Sequence, residues 1–128
     1  MSKLLLVCLG GAVGSGARYL VGSWATATWG TGFPWGTLLI NAVGSVLISV
    51  VMYLAVDVGV VSPELRLLLA VGVLGGFTTY SSFNHETLSL AQRGQWGLAA
   101  AYVGATLMLA WTAGVAGIIA ARLVSAGA

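Results

Sequence analysis

Residues 96–121 carry no charged side chain, and neither do residues 37–56. Each run has the length that crosses a bilayer's hydrocarbon core as a helix, about 20 apolar residues. Lipid offers backbone amides no water to bond, so a chain immersed in it satisfies them within helices. Two further apolar stretches, 4–24 and 65–91, complete an all-α integral membrane protein of four transmembrane helices, one membrane domain over residues 1–128. Composition agrees: 59% of the 128 residues are hydrophobic and only 6% charged, where a water-soluble domain devotes about a quarter of its residues to charge. The net charge of +2 is scattered and forms no basic stripe, which excludes nucleic acid as a partner. A single cysteine, Cys8, rules out an intrachain disulfide and a multi-cysteine metal site and reads as a small hydrophobe. Lys3 is the only basic residue before an apolar run too long for a signal peptide, so the first helix is expected to be retained.

The third span contains its own interruption. Residues 72–86, GVLGGFTTYSSFNHE, place paired glycines and a run of hydroxyls at membrane depth. Polar or irregular chain survives there only if buried in protein or lining a watery cavity. A helix broken near 75–79 is expected, with Gly75 and Gly76 permitting unusual backbone angles and Thr78, Thr79, Ser81 and Ser82 reaching freed carbonyls. Tyr80 and Phe83 then share a face of the resumed helix. The plainer reading is a small-residue helix contact whose hydroxyls bond the preceding turn.

Polar residues elsewhere sort by spacing. Gly10 and Gly14 form a GxxxG pair that lets another helix approach closely. Arg18 either snorkels to headgroups or faces a polar vestibule. Residues 25–36, with Gly30, Gly32 and Pro34 among Trp24, Trp29 and Trp35, read as an interfacial loop. Thr37 and Asn41 are one turn apart, and the Asn41 amide either bonds a neighbouring helix or donates to a passing anion. Pro63 and Glu64 suit a helix's first turn, and Gly94 its C-cap. Tyr102 and Thr106 share a face that Ala110 continues without a hydroxyl, while Thr112 lies on another side. Gly104, Gly114 and Gly117 suggest a second close contact, and Trp111 reads as core filler. His85 beside Glu86 invites a proton relay, but both stand near the helix end at Arg93, where a wet vestibule makes charge cheap.

Four spans place Lys3, Arg66 and Arg122 on one side and Arg18 and Arg93 on the other, which is almost no positive-inside bias. Insertion in both orientations, and an antiparallel pair, are compatible with so weak a signal. Four short spans enclose little by themselves, so a homo-oligomer is expected.

In combination these motifs resemble the Fluc/CrcB-type fluoride channels over nearly the whole chain. The likeness rests on Gly16-Ala17-Arg18-Tyr19, on Gly36-Thr37-Leu38-Leu39-Ile40-Asn41, on Gly75-Gly76-Phe77-Thr78-Thr79-Tyr80-Ser81-Ser82-Phe83 with Glu86, and on Tyr102 with Thr106. The resemblance implies an antiparallel, dual-topology homodimer in the bacterial cytoplasmic (inner) membrane that exports fluoride passively. It implies a fluoride pore built from Asn41, Tyr80, Phe83, Ser81, Thr37, Tyr102 and Thr106, and a vestibule with Arg18 and Glu86. It also implies a structural sodium ion held by backbone carbonyls of Gly75 and Thr78 from both subunits. The chemistry suits these roles, because a small, strongly hydrated anion needs hydroxyl and amide donors and aromatic edges in place of water.

The sequence departs from the family pattern in places. Tyr80 stands where phenylalanine is usual, Ala110 and Gly114 where serine and threonine are usual, and Asn84 and His85 where small residues are usual. A small proton-coupled drug exporter is the first alternative, but its essential carboxylate is missing from a first helix that carries Arg18. A purely structural membrane subunit is the second, and it leaves the hydroxyls at the Gly-Gly pair unexplained. No nucleophile, base and orienter come together to suggest an enzyme.

Overall fold

The computed structural model describes residues 2–127. Four helical spans are long and apolar enough to cross a membrane: Ser2–Trp29, Trp35–Asp57, Pro63–Gln92 and Trp96–Ala126. Helix α1 is Ser2–Trp29, and α2 is Trp35–Met52, extended by a π-helical turn, Tyr53–Asp57. The third span is two helices. Its first half, α3, runs from Pro63 through a wide-turned section, Leu67–Leu74, to Phe77, and its second half, α4, is Tyr80–Gln92. Helix α5 is Trp96–Ala126.

The ends of α3 and α4 follow from local chemistry. Ser62 caps α3 by accepting the Leu65 amide at 3.2 Å, and Pro63 fills the first turn. Gly94, at φ 77°, turns the chain out of α4 while its amide and that of Gln95 bond the carbonyls of Ala91 and Leu90. The first loop is shorter than the expected 25–36. Helix α1 continues to Trp29, and the reversal is confined to the residues from Gly30 (φ 75°) to Pro34. Trp24 and Trp29 stay helical and stack edge-on at 5.0 Å, beside Trp35 and Phe33. Interfacial tryptophans are as comfortable on a helix end as in a loop.

Two helix pairs make the framework: α1 lies along α3, and α2 along α5. Glycine allows both. A Cβ on Gly10 would stand 2.9 Å from the Gly72 Cα, and one on Gly14 would overlap the Val73 carbonyl. The GxxxG pair thus meets α3 backbone to backbone. On the other pair, a Cβ on Gly117 would come within 2.6 Å of the Val46 carbonyl, and Gly114 faces Ser49. Gly104 has open space around it and takes no part in this contact. Gly14→Ala is therefore expected to cost about 1–3 kcal/mol, because the overlap is with backbone and no rotamer relieves it. Gly16→Ala, with nothing within 4 Å, should be neutral or stabilising, and melting of the two variants in detergent compares them.

Few side chains are wholly enclosed. Tyr102 is fully buried, in a cluster with Leu38, Phe83, Leu90 and Ala99. Large apolar side chains such as Leu20, Trp111 and Leu123 point outward, as lipid or a second protein surface requires.

Candidate functional site

The break between α3 and α4 lies at Thr78 and Thr79, both extended, with ψ of 156° and 119°. The glycines do not make it. Gly75 is plainly helical (φ −63°, ψ −36°), and no residue near the break has positive φ. Gly76 is small for another reason, since a Cβ there would lie 2.7 Å from the Gly11 carbonyl of α1. β-Branched threonines adopt the extended conformation readily, which is why the opening falls on them.

Asn41 of α2 seals the opening. Its Nδ2 donates to the Thr79 carbonyl at 2.9 Å, and its Oδ1 accepts the Thr79 amide at 2.9 Å. Of the two uses left open for this amide, the structure displays the bond to a neighbouring segment, and one Nδ2 hydrogen remains for another acceptor. The Thr79 hydroxyl caps α4 by accepting the Ser82 amide at 3.2 Å, and it donates to Ser82 Oγ at 3.0 Å. Ser81 is exposed, its hydroxyl 3.3 Å from that of Thr79. Thr78 Oγ1 bonds back to the Leu74 carbonyl. Because the Thr79 amide is spent on Asn41, the Gly75 carbonyl loses the donor that a continuous helix would have supplied.

One turn above, Glu86 joins three helices. Thr37 of α2 donates to its Oε1 at 2.8 Å, and Tyr102 of α5 donates to its Oε2 at 2.7 Å. Thr37 is buried and Tyr102 fully so. Two expected pore donors are thus held by the carboxylate expected in the vestibule. Charge-assisted bonds of this kind are short and strong. Phe83 packs on Tyr102 with ring centroids 5.2 Å apart, and Tyr80, largely exposed, leans on Phe83 at 5.6 Å.

One cavity reaches this network, and a second lies at the break below it. The first, of about 380 Å³, opens beside the 30–34 loop and is lined by Thr37, His85, Glu86 and Arg93 among others. Arg18, half-buried on α1, is not in its lining. The Arg93 Nε folds back onto the Ser89 carbonyl at 3.1 Å, which holds the guanidinium along the helix. His85 is exposed at the rim. His85→Ala is expected to leave anion flux unchanged, and an efflux trace below that of the unaltered protein would show that the ring does more than line a wet mouth.

The second cavity is a groove of about 520 Å³ at the break, walled by Asn41, Thr79, Tyr80, Phe83 and Thr106. Thr106 Oγ1 is buried and has no hydrogen-bond partner. A hydroxyl so placed is a donor awaiting an acceptor. No lysine, arginine or acid lines this groove. Ala110 does line it, whereas Thr112 faces away and bonds the Met108 carbonyl at 2.7 Å. Sequence reasoning passed over Ser45 and Ser49, which follow Asn41 at four-residue steps, the same signal that paired Thr37 with Asn41.

Four apolar spans, three of which wall an open groove carrying neutral donors and aromatic rings, define a multi-pass membrane protein. Comparison with known proteins makes the assignment definite. The family model described as CrcB-like protein, Camphor Resistance (CrcB), matches residues 5–118, and the chain belongs to that family. A protein of Anaeromyxobacter sp. (strain K) named fluoride-specific ion channel FluC is 52% identical over 126 residues, spanning 89% of this chain and 100% of the relative. Relatives of the same name come from Thermus thermophilus, 51% identical over 85% of each chain, and from Sorangium cellulosum, 42% identical over 99% of this chain and 100% of the other.

Proposed function

We propose that the chain is a fluoride-selective channel of the cytoplasmic membrane that lets fluoride leave the cell passively and so limits its toxicity. The observation that carries the reading is the buried, unpartnered Thr106 hydroxyl in a groove shared with Asn41 and Phe83. Fluoride surrenders hydration only to comparably strong donors, and hydroxyl and amide groups supply them without a fixed positive charge that would trap the ion. The positive edges of Phe83 and Tyr80 add to the field. Ser81 extends the donor set, Glu86 holds the hydroxyl hydrogens of Thr37 and Tyr102 until an anion competes for them, and Arg18 and Arg93 draw anions toward the entrances. The names carried by relatives at 42–52% identity support the choice of anion. None of this is enzyme chemistry.

The assembly belongs to the same reading. A single chain leaves its groove open along one side and Tyr80 exposed, so a second copy completes the wall. Weak charge bias permits insertion both ways, as the antiparallel, dual-topology homodimer requires. Sodium fits the break, because the Gly75 carbonyl lacks its helical donor and Gly75 is exposed on the uncovered face. With the Thr78 carbonyl, and the same pair from a second copy, it gives a hard cation the oxygen ligands it prefers. Purification with N-methylglucamine replacing sodium is expected to lower the dimer's melting temperature, and an unchanged melt would remove sodium from the assembly.

The functional test is growth. In a bacterium stripped of its own fluoride exporter, expression of this chain should restore growth on fluoride, and Phe83→Ala should not. Continued sensitivity with the unaltered protein present in the membrane would refute the reading.

A further inference from the structure

The groove at the break does not end there. It adjoins a cavity of about 280 Å³ through Ser45, Ile48 and Ala110. That cavity in turn adjoins one of about 460 Å³ through Ile48, Ser49 and Ile118. The three form one furrow between α2 and α5, running from Asn41 to the far end of both helices, where Tyr53, Asp57 and Arg122 line it. The α5 wall offers no hydroxyl along its middle, since Ala110 and Gly114 stand there. The α2 wall does. Asn41, Ser45, Ser49 and Tyr53 follow at four-residue steps, so a rise of 1.5 Å per residue sets neighbours about 6 Å apart along one face. Gly114 is what leaves Ser49 room, for a Cβ there would stand 3.2 Å from the Ser49 hydroxyl.

Resting on the fluoride-channel reading, we propose that Ser45 and Ser49 carry the anion through the half of the path beyond the break, to a mouth at Arg122. Thr106 and the free Nδ2 hydrogen of Asn41 hand the ion to this line. Ser45 now donates to the Asn41 carbonyl at 2.7 Å, a bond its hydroxyl exchanges for the anion by rotation about its own Cα–Cβ bond. At the mouth the Arg122 guanidinium lies 5.7 Å from the centre of the Tyr53 ring. A cation fixed beside the opening raises the local anion concentration, and Asp57 on the same rim moderates it. The apolar lining from Ile48 and Ile118 leaves the serines as the polar members of this stretch, so each hydroxyl replaces water that the ion has lost.

Ser49→Val and Ser49→Thr test this, because the two side chains have one shape and differ by a hydroxyl. Both are reconstituted as dimers in liposomes and assayed for fluoride efflux beside the unaltered protein. The expected result is flux retained by Ser49→Thr and lowered about tenfold or more by Ser49→Val, the scale of one lost hydrogen bond to an ion. Ser49→Ala, which adds no bulk against Gly114, should also be slow. Equal, undiminished flux in Ser49→Val and Ser49→Ala overturns the proposal and leaves the channel reading intact. Equal loss in Ser49→Thr and Ser49→Val with normal flux in Ser49→Ala makes Ser49 a packing residue and overturns it too. An unaltered protein that releases no fluoride sinks both readings. A second readout uses Ser49→Cys in a Cys8→Ser background, where a water-soluble thiol reagent should stop flux. Leu47→Cys, on the outward face, should be indifferent to it.

Discussion

Asn41→Leu is expected to abolish fluoride flux and loosen the protein together. Leucine keeps the volume of the side chain but neither of its bonds to Thr79. The Thr79 amide and carbonyl would then lie in the membrane interior without partners, each costing about 1–3 kcal/mol. The helix break has no other clamp of this kind, so Thr79, Tyr80 and Phe83 lose their placement along with the groove they wall. Asn41→Asp separates the two roles. Its carboxylate still accepts the Thr79 amide but repels the Thr79 carbonyl and any anion, so partial stability without flux is expected. Melting in detergent and efflux from liposomes read the two properties independently. Flux at the unaltered rate in Asn41→Leu would show that the clamp is dispensable.

Glu86→Leu carries the second large effect. It strands two hydroxyls, Thr37 and Tyr102, that are buried and donate to the two carboxylate oxygens. Orphaning them costs about 1–3 kcal/mol apiece, and Tyr102 cannot turn to water because its ring is enclosed by Phe33 and Phe83. Phe83, which walls the groove, packs on that ring, so flux should fall with stability. Glu86→Gln is the graded case. Its amide nitrogen cannot accept, so one of the two hydroxyls loses its partner and the other keeps it. The expected order in both melting temperature and efflux is unaltered protein, then Glu86→Gln, then Glu86→Leu. Identical behaviour of all three would mean that the carboxylate organises nothing.

The spans were legible because lipid tolerates so few alternatives: uncharged runs at 37–56 and 96–121 are helices whatever their partners. Their ends were less so. Tryptophan marks the membrane interface but does not say whether the chain there is helix or loop, and α1 keeps Trp24 to Trp29 helical. The broken third span was visible in the clustering of glycines and hydroxyls, yet its cause was not. Gly76 answers to α1, and the opening falls on Thr78 and Thr79. What clamps it comes from a residue 38 positions earlier, a pairing no local pattern encodes. Glu86 likewise reaches Thr37 across 49 positions, so reading it from its neighbours His85 and Arg93 placed it in the entrance alone. Ser45 and Ser49 went unread because serine in a membrane helix ordinarily bonds the previous turn, as Ser45 does.

Selective release of fluoride is the property that one experiment reads most directly. Purified protein in liposomes loaded with fluoride or chloride, with a potassium ionophore to balance charge and protein-free vesicles as control, should release fluoride rapidly and hold chloride. Equal release of both anions, or retention of fluoride by folded dimers, would contradict the assignment of this chain as a fluoride channel.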